Sequence, residues 1–247
     1  MNRKEALSLA ETWFEAQDWK VFPFQKKTWT AFLQGKHGLL NAPTGSGKTY
    51  ALWVPIVLQY LQDHPDYKNS RKKGLKAIWI TPLRALSVEI QQATQRFADA
   101  LETGLTVGIR TGDTPQSERA KQKRNMPDLL ITTPESLMLL LASKGYDKMF
   151  KSLTAVVVDE WHELLGSKRG VQMELGLSRL KSISPQLRIW GISATIGNLE
   201  QAQDVLLGMD AEFRKKSVLI RAKRKTNVKV QSIIPKTMET FPWRGHL

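Results

Sequence analysis

Five residues that read as a buried strand, His37-Gly38-Leu39-Leu40-Asn41, pass directly into Ala42-Pro43-Thr44-Gly45-Ser46-Gly47-Lys48-Thr49, and a helical pattern follows over residues 49–61. A strand that turns into a helix through small residues leaves several backbone N–H groups unpaired around one concavity, and the helix dipole adds positive potential there. Such a concavity takes a polyphosphate. Gly45 and Gly47 permit the tight backbone path, with Thr44 and Ser46 completing the cradle. Lys48 can reach the β- and γ-phosphates, and the Thr49 hydroxyl can ligate Mg²⁺. The first glycine of the usual G-x-x-x-x-G-K-[ST] pattern is Ala42 in this chain.

The rest of the chain repeats one theme. Apolar runs at residues 75–80, 105–110, 129–132, 153–158 and 187–192 alternate with helical patterns at 83–102, 116–123, 134–142 and 171–180. Hydrophobic strands alternating with amphipathic helices predict a parallel sheet with helices on both faces, an α/β fold. An amphipathic helix over residues 3–19 precedes the first strand, and residues 26–33 form another helix opened by Gln25. In a parallel sheet the C-terminal strand ends gather along one edge, which is where ligands bind. Each polar cluster of this sequence falls at such an end.

One of these clusters, Asp159-Glu160-Trp161-His162, follows Ala155-Val156-Val157-Val158. Asp159 is placed to hold Mg²⁺ through its water shell, completing what Thr49 begins, and Glu160 is then free to orient and deprotonate an attacking water. Together with Lys48 these two carboxylates are the catalytic candidates. His162 and Ser193-Ala194-Thr195 sit at two further strand ends, where an imidazole beside the Ser193 and Thr195 hydroxyls can register whether a γ-phosphate is present. Gln25 lies 23 residues before Lys48, and its amide can pair with the N6/N7 edge of adenine, selecting ATP. Core packing is the expected role of Phe22 and Phe24 beside it.

Composition narrows the partners. The 247 residues carry a formal charge of +14, a field that attracts polyanions such as nucleic acid. The chain lacks cysteine, so thiolate metal sites and disulfides are excluded, and a reducing cytoplasm is the expected location. His162-Glu163 begins like H-E-x-x-H, but position 166 is Gly, so a zinc protease is excluded. The longest wholly apolar run, residues 137–142, is far short of a membrane span. No Asn-Lys-x-Asp base-reading motif occurs, which argues against a GTPase.

Five stretches taken together resemble a known family: Ala42-Pro43-Thr44-Gly45-Ser46-Gly47-Lys48-Thr49, Thr81-Pro82-Leu83-Arg84-Ala85-Leu86, Thr132-Thr133-Pro134-Glu135-Ser136, Asp159-Glu160-Trp161-His162 and Ser193-Ala194-Thr195-Ile196-Gly197-Asn198. They are similar to motifs I, Ia, Ib, II and III of superfamily 2 DExH helicases of the Lhr-like (large helicase-related) group, over residues 20–200. The ending Phe241-Pro242-Trp243-Arg244-Gly245-His246-Leu247 resembles the ligase-associated DExH-box subgroup. The resemblance implies a RecA-like P-loop NTPase fold using ATP and Mg²⁺, and a 3′-to-5′ DNA translocase of DNA repair acting on single-stranded DNA and on DNA or RNA:DNA duplexes. It also implies a DNA ligase or a nuclease as partner. Carried over residue by residue, it gives Arg84, Thr111, Gly112, Asp113, Thr132 and Thr133 to the backbone of the tracked strand. Hydroxyls, backbone amides and an arginine at strand ends suit phosphate contacts that position a strand without reading it.

Helicases of this kind need a second RecA-like lobe that supplies arginine fingers. Residues 1–212 are expected to form the first lobe, and 213–247 a basic linker and the start of a second lobe, with a strand over 228–234, that is not completed. Further C-terminal domains are expected in the full-length protein. Two alternative readings stand beside this one: an RNA helicase, and a nucleotide-gated module that grips nucleic acid without translocating.

Overall fold

The computed structural model describes residues 1–69, 74–208 and 211–222. In chain order, helices α1 (Arg3–Glu15) and α2 (Pro23–Leu33) precede strand β1 (His37–Asn41) and helix α3 (Lys48–Asp63). Then come β2 (Ala77–Ile80), α4 (Leu86–Ala100), β3 (Val107–Arg110), α5 (Gln116–Arg124), β4 (Leu129–Thr132), α6 (Pro134–Leu141) and α7 (Tyr146–Phe150). The chain continues through β5 (Ala155–Val158), α8 (Trp161–Leu164), α9 (Lys168–Ile183), β6 (Arg188–Ser193), α10 (Leu199–Leu207), α11 (Ala211–Lys215) and β7 (Ser217–Arg221). Among the described residues, four helices start on a side-chain cap that fills an orphan backbone donor, from Asn2, Thr133, Ser167 and Asn198.

The seven strands of the described residues all run parallel, in the order β3-β4-β2-β5-β6-β1-β7. Side chains alternate between two cores. Leu40, Trp79, Val157, Trp190 and Ile192 face the layer of α1 to α4, while Leu39, Ile78, Val156, Val158 and Ile189 face the layer of α6 to α10. Because both faces are covered, β2, β4 and β5 are buried along their whole length, which is why they read as continuous apolar runs. Among the described residues, no helix is long and apolar enough to cross a membrane.

The structure departs from the sequence reading in identifiable places. Helix α1 stops at Glu15, and Asp18 then takes a positive φ of 56°, so residues 16–19 turn instead of extending the helix. The boundary expected after residue 212 falls within α11, ahead of a further strand of the same sheet. Ser217–Arg221 pairs in register with His37–Asn41, so the first unit runs at least through Arg221 and residues 213–221 are not a linker. The reason is positional: β7 is an edge strand, half-buried, with the polar ends edge strands carry, and its short apolar centre is outweighed in sequence by cations on both sides. The expected strand at 228–234 lies outside the described residues.

A close approach joins α8 to α9. Ser167 Oγ accepts from the Gly170 amide at 3.1 Å, and a Cβ added at Gly170 would stand 2.1 Å from the Leu164 carbonyl oxygen. Nothing larger than glycine fits against that backbone. Gly170→Ala should therefore lower the unfolding free energy by about 1–3 kcal/mol. Gly176→Ala, deeper in α9 with Met138 Sδ at an ordinary 3.4 Å, should leave stability unchanged or raise it by up to about 1 kcal/mol. Urea unfolding of both variants checks the contrast, which fails if the two behave alike.

Candidate nucleotide site and strand-tracking edge

Strand β1 delivers the phosphate loop. The Ala42 amide still bonds Ser193 O at 3.0 Å, so the loop leaves the sheet only after it is anchored. Gly45 and Gly47 then adopt φ of 71° and 80°, the left-handed region that glycine enters without penalty. Gly47 is the N-cap of α3, and the first intrahelical bond runs from Ala51 N to Gly47 O. The amides of the first helical turn, at Lys48, Thr49 and Tyr50, consequently have no acceptor within the helix. Ser46 Oγ donates inward to Pro43 O at 2.6 Å and braces the loop.

Strand β6 separates β1 from β5, so the acidic pair arrives one strand away. Lys48 Nζ lies 3.0 Å from Glu160 Oε1, with their side chains 10% and 13% exposed. Asp159 is 6% exposed; Oδ1 accepts from the Glu160 amide at 2.9 Å and Oδ2 from Trp79 Nε1 at 3.2 Å. Burial pushes the Asp159 carboxyl up to about 6, with the neighbouring Glu160 charge adding to it, while Lys48, the Glu160 amide and Trp79 pull the other way. Glu160 itself holds φ 44° and ψ 47°, a conformation costly for a residue with a side chain. Strain of this kind is stored where the surroundings over-determine a position. A cavity of about 310 Å³ is lined by Thr44, Gly45, Gly47, Lys48, Thr49, Asp159 and Glu160. The Thr49 hydroxyl and the Asp159 carboxylate are the pair there that could hold a divalent cation. A larger groove of about 700 Å³, between α9 and α10, contains none of these groups.

Other expected residues sort into two kinds. His162 Nδ1 is 3.2 Å from Ser193 Oγ and 3.4 Å from Glu160 Oε2, so imidazole, hydroxyl and acid are brought together. Thr195 is exposed and takes no part in those hydrogen bonds. Asn41, which the sequence reading passed over, ties this group to β1 by donating to Ser193 O at 3.2 Å and Ala194 O at 3.1 Å. Gln25 sits against the loop as its spacing implied, but the amide is committed. Oε1 accepts from Phe22 N at 2.8 Å and Nε2 donates to Gly47 O at 3.0 Å, with the side chain buried. Its first task is therefore to lock α2 to the loop, leaving one N–H and one lone pair for a base edge. Phe24 is buried as expected, whereas Phe22, outside the helix at its N-cap, is 45% exposed and stacked on it at 5.9 Å.

The strand-tracking candidates occupy the other half of the same edge, at the ends of β2, β4 and β3. Arg84 Nη1 lies 2.8 Å from Asp113 Oδ1, and both side chains are exposed. Arg119 Nη2 donates to Thr111 O at 3.0 Å and to Gly112 O at 2.7 Å, which orders that turn. The hydroxyls of Thr132 and Thr133, expected to meet phosphates, point inward instead. Thr132 Oγ1 donates to Arg110 O at 2.7 Å, and Thr133 caps α6 by accepting from Ser136 N at 3.4 Å. Both side chains are buried because strand ends and N-caps use short hydroxyls to satisfy local backbone. Arg169, another residue missed in sequence, bonds Glu135 Oε1 at 2.7 Å and Pro82 O at 3.2 Å, joining the α9 start to the loops after β2 and β4.

The raised Asp159 carboxyl has a stability consequence. An unfolded chain, with an ordinary value of 3.8, gives up this proton before the folded chain does. The contribution of Asp159 to unfolding free energy therefore falls as pH rises from about 4 to about 6, by about 3 kcal/mol in total, and stays low above that. Asp159→Asn does not titrate. Its unfolding free energy relative to wild type should climb by about 2–3 kcal/mol between pH 4 and 7 in urea melts without nucleotide; a pH-independent difference would contradict the assigned burial.

Comparison with known proteins agrees with this geometry. The DEAD/DEAH box helicase family matches residues 22–203. The Lhr helicase/uracil glycosylase of Escherichia coli is 38% identical over 200 residues, covering 73% of this chain and 13% of that protein. The ATP-dependent helicase Lhr-Core of Sulfolobus acidocaldarius is 37% identical over 213 residues, covering 81% of this chain and 24% of the relative. Among solved structures, Mycobacterium smegmatis helicase Lhr bound to ssDNA and AMP-PNP superimposes with a TM-score of 0.68 at 30% identity, over 89% of this chain and 27% of that one. The chain thus spans about an eighth to a quarter of the length of these relatives. With its all-parallel sheet, its phosphate loop beside the Asp159-Glu160 pair and these matches, the chain belongs to the DEAD/DEAH box helicases of superfamily 2, in the Lhr-like group.

Proposed function

We propose that this chain is the ATP-binding lobe of a 3′-to-5′ DNA translocase of the ligase-associated subgroup, unwinding DNA:DNA or RNA:DNA duplexes in cytoplasmic DNA repair. The observation that carries the reading is the 3.0 Å contact of Lys48 with Glu160 beside the unpaired amides of the phosphate loop. Cation, acid and anion cradle converge on one cavity, on the same sheet edge as the strand-tracking loops. A bound Mg²⁺ would neutralise charge on the phosphate oxygens, and the residues present fit it: Thr49 at the start of α3, and an Asp159 carboxylate whose two oxygens are already oriented by N–H donors.

In this reading the loop amides from Gly45 to Thr49 grip the triphosphate. Lys48 leaves Glu160 for the β- and γ-phosphates, and the freed Glu160 carboxylate takes a proton from the attacking water. Hydrolysis then rests on positioning and charge stabilisation. His162, touching both Glu160 and Ser193, carries the state of the acid to the end of β6. A second RecA-like lobe supplies the opposite wall and its arginines, so residues 1–247 alone should hydrolyse ATP slowly. Partners are single-stranded DNA, the remaining domains of the longer protein, and a DNA ligase or nuclease.

Strand displacement by the full-length gene product, with either the 3′ or the 5′ tail on the duplex and DNA or RNA in either strand, tests this reading. Displacement is expected with a 3′ DNA tail. Preference for an RNA tail would instead make it an RNA helicase. Glu160→Gln should keep ATP binding within about threefold and lower displacement more than 100-fold; undiminished function in that variant would make the protein a nucleotide-gated clamp.

A further inference from the structure

Trp79 belongs to none of the motifs that hold phosphate, acid or strand, yet it touches both sides of the cation site. It lies on β2, fully buried, and pairs in register with Val157 of β5. Asp159 stands two residues beyond Val157, on the same face of the sheet, within diagonal reach of a long side chain. The indole N–H takes that reach and donates to Asp159 Oδ2 at 3.2 Å. The other oxygen is held by the Glu160 amide at 2.9 Å, so the plane of the carboxylate is fixed from two directions. The face of the same indole stacks on Trp53 of α3, with centroids 5.1 Å apart and planes 22° from parallel. Helix α3 begins with Lys48 and Thr49.

We propose that Trp79 is the positioning residue for the divalent cation: its N–H sets the orientation of Asp159, and its ring, stacked on Trp53, sets the placement of the helix that presents Thr49. The two groups that would hold the cation come from separate strand tips, and one rigid bicyclic side chain spans the gap between their supports. The inference rests on the reading of Asp159 and Thr49 as the cation's residues, and goes beyond it in naming what spaces them.

A matched pair of substitutions isolates the N–H. Trp79→Phe keeps a stacking ring and removes the donor. Trp53→Phe makes the same change on the stacked partner, whose Nε1 has no hydrogen-bond partner among the described residues. Binding of a fluorescent non-hydrolysable ATP analogue is measured with excess EDTA and across a Mn²⁺ titration. For Trp79→Phe we expect affinity in EDTA within twofold of wild type and Mn²⁺ affinity about tenfold weaker, the loss of one hydrogen bond to a charged acceptor. Trp53→Phe should leave both unchanged. Wild-type Mn²⁺ affinity in Trp79→Phe overturns the proposal, as does an equal loss in both variants. Asp159→Ala separates this failure from failure of the site itself: if that variant keeps its Mn²⁺ dependence, Asp159 does not hold the cation at all. Should Trp79→Phe not fold, ¹⁵N-indole spectra of wild type and Asp159→Ala replace it. The Trp79 N–H resonance must shift upfield on losing its acceptor, and an unmoved resonance overturns the proposal.

Discussion

The contact between Lys48 and Glu160 governs much of what surrounds it. Two charges nearly withdrawn from water must face each other or face something else charged, because an unpaired one would cost several kcal/mol. Pairs of this kind add little to stability compared with apolar packing. Here the pair stands at the tips of β1 and β5, beside a third charge, Asp159, that burial already disfavours. Holding three ionisable groups and a left-handed Glu160 around one cavity is a standing cost to the fold, and the continuous apolar cores on either face of the sheet offset it. A polyanion with a divalent cation would relieve that cost by setting further opposite charge against Lys48 and Asp159.

The sheet order divides the work along one edge. The half built from β5, β6 and β1 carries the phosphate loop, the acids and Ser193; the half built from β2, β4 and β3 carries Arg84 and the turn at Thr111 to Asp113. Strand β2 sits at the seam, hydrogen-bonded to β4 on one side and β5 on the other. Its penultimate residue, Trp79, reaches Asp159 in the nucleotide half, while the loop that follows offers Pro82 O to Arg169. The helix bearing Arg169 is separated by three residues from α8, the short helix that follows the acidic pair, and Gly170 holds the two helices close. The two halves are therefore joined by direct contacts, through strand pairing at β2 and through Arg169.

What the sequence revealed and what it hid follow from the same physics. The phosphate loop was legible because strand, small residues and lysine must be contiguous to work, and the parallel strands because burial on both faces leaves an unbroken apolar run. Strand β7 was hidden because an edge strand is only half-buried and its apolar centre is short. Trp79 and Asn41 were hidden because their roles depend on which strands are neighbours, and register cannot be read from one chain segment at a time. Thr132 and Thr133 show a subtler limit. A hydroxyl at a strand end suits a phosphate and the chain's own carbonyl equally well, and only the direction of the side chain decides.

That inward turn bears on how a strand could be held. With those hydroxyls spent on Arg110 O and Ser136 N, the groups on this half suited to a phosphate include Arg84 and main-chain atoms of the turn that Arg119 orders. Arg84 is itself paired with Asp113, as Lys48 is with Glu160. These two cations are thus each already paired with a nearby carboxylate. The exposed pair costs on the order of 1 kcal/mol or less to open, while the nearly buried one costs more. An isolated phosphate gains too little from one such exchange. A chain of phosphates, or a triphosphate with its cation, would make several contacts for each pair it opened, and on that argument the two internal ion pairs would favour extended polyanions over single ones.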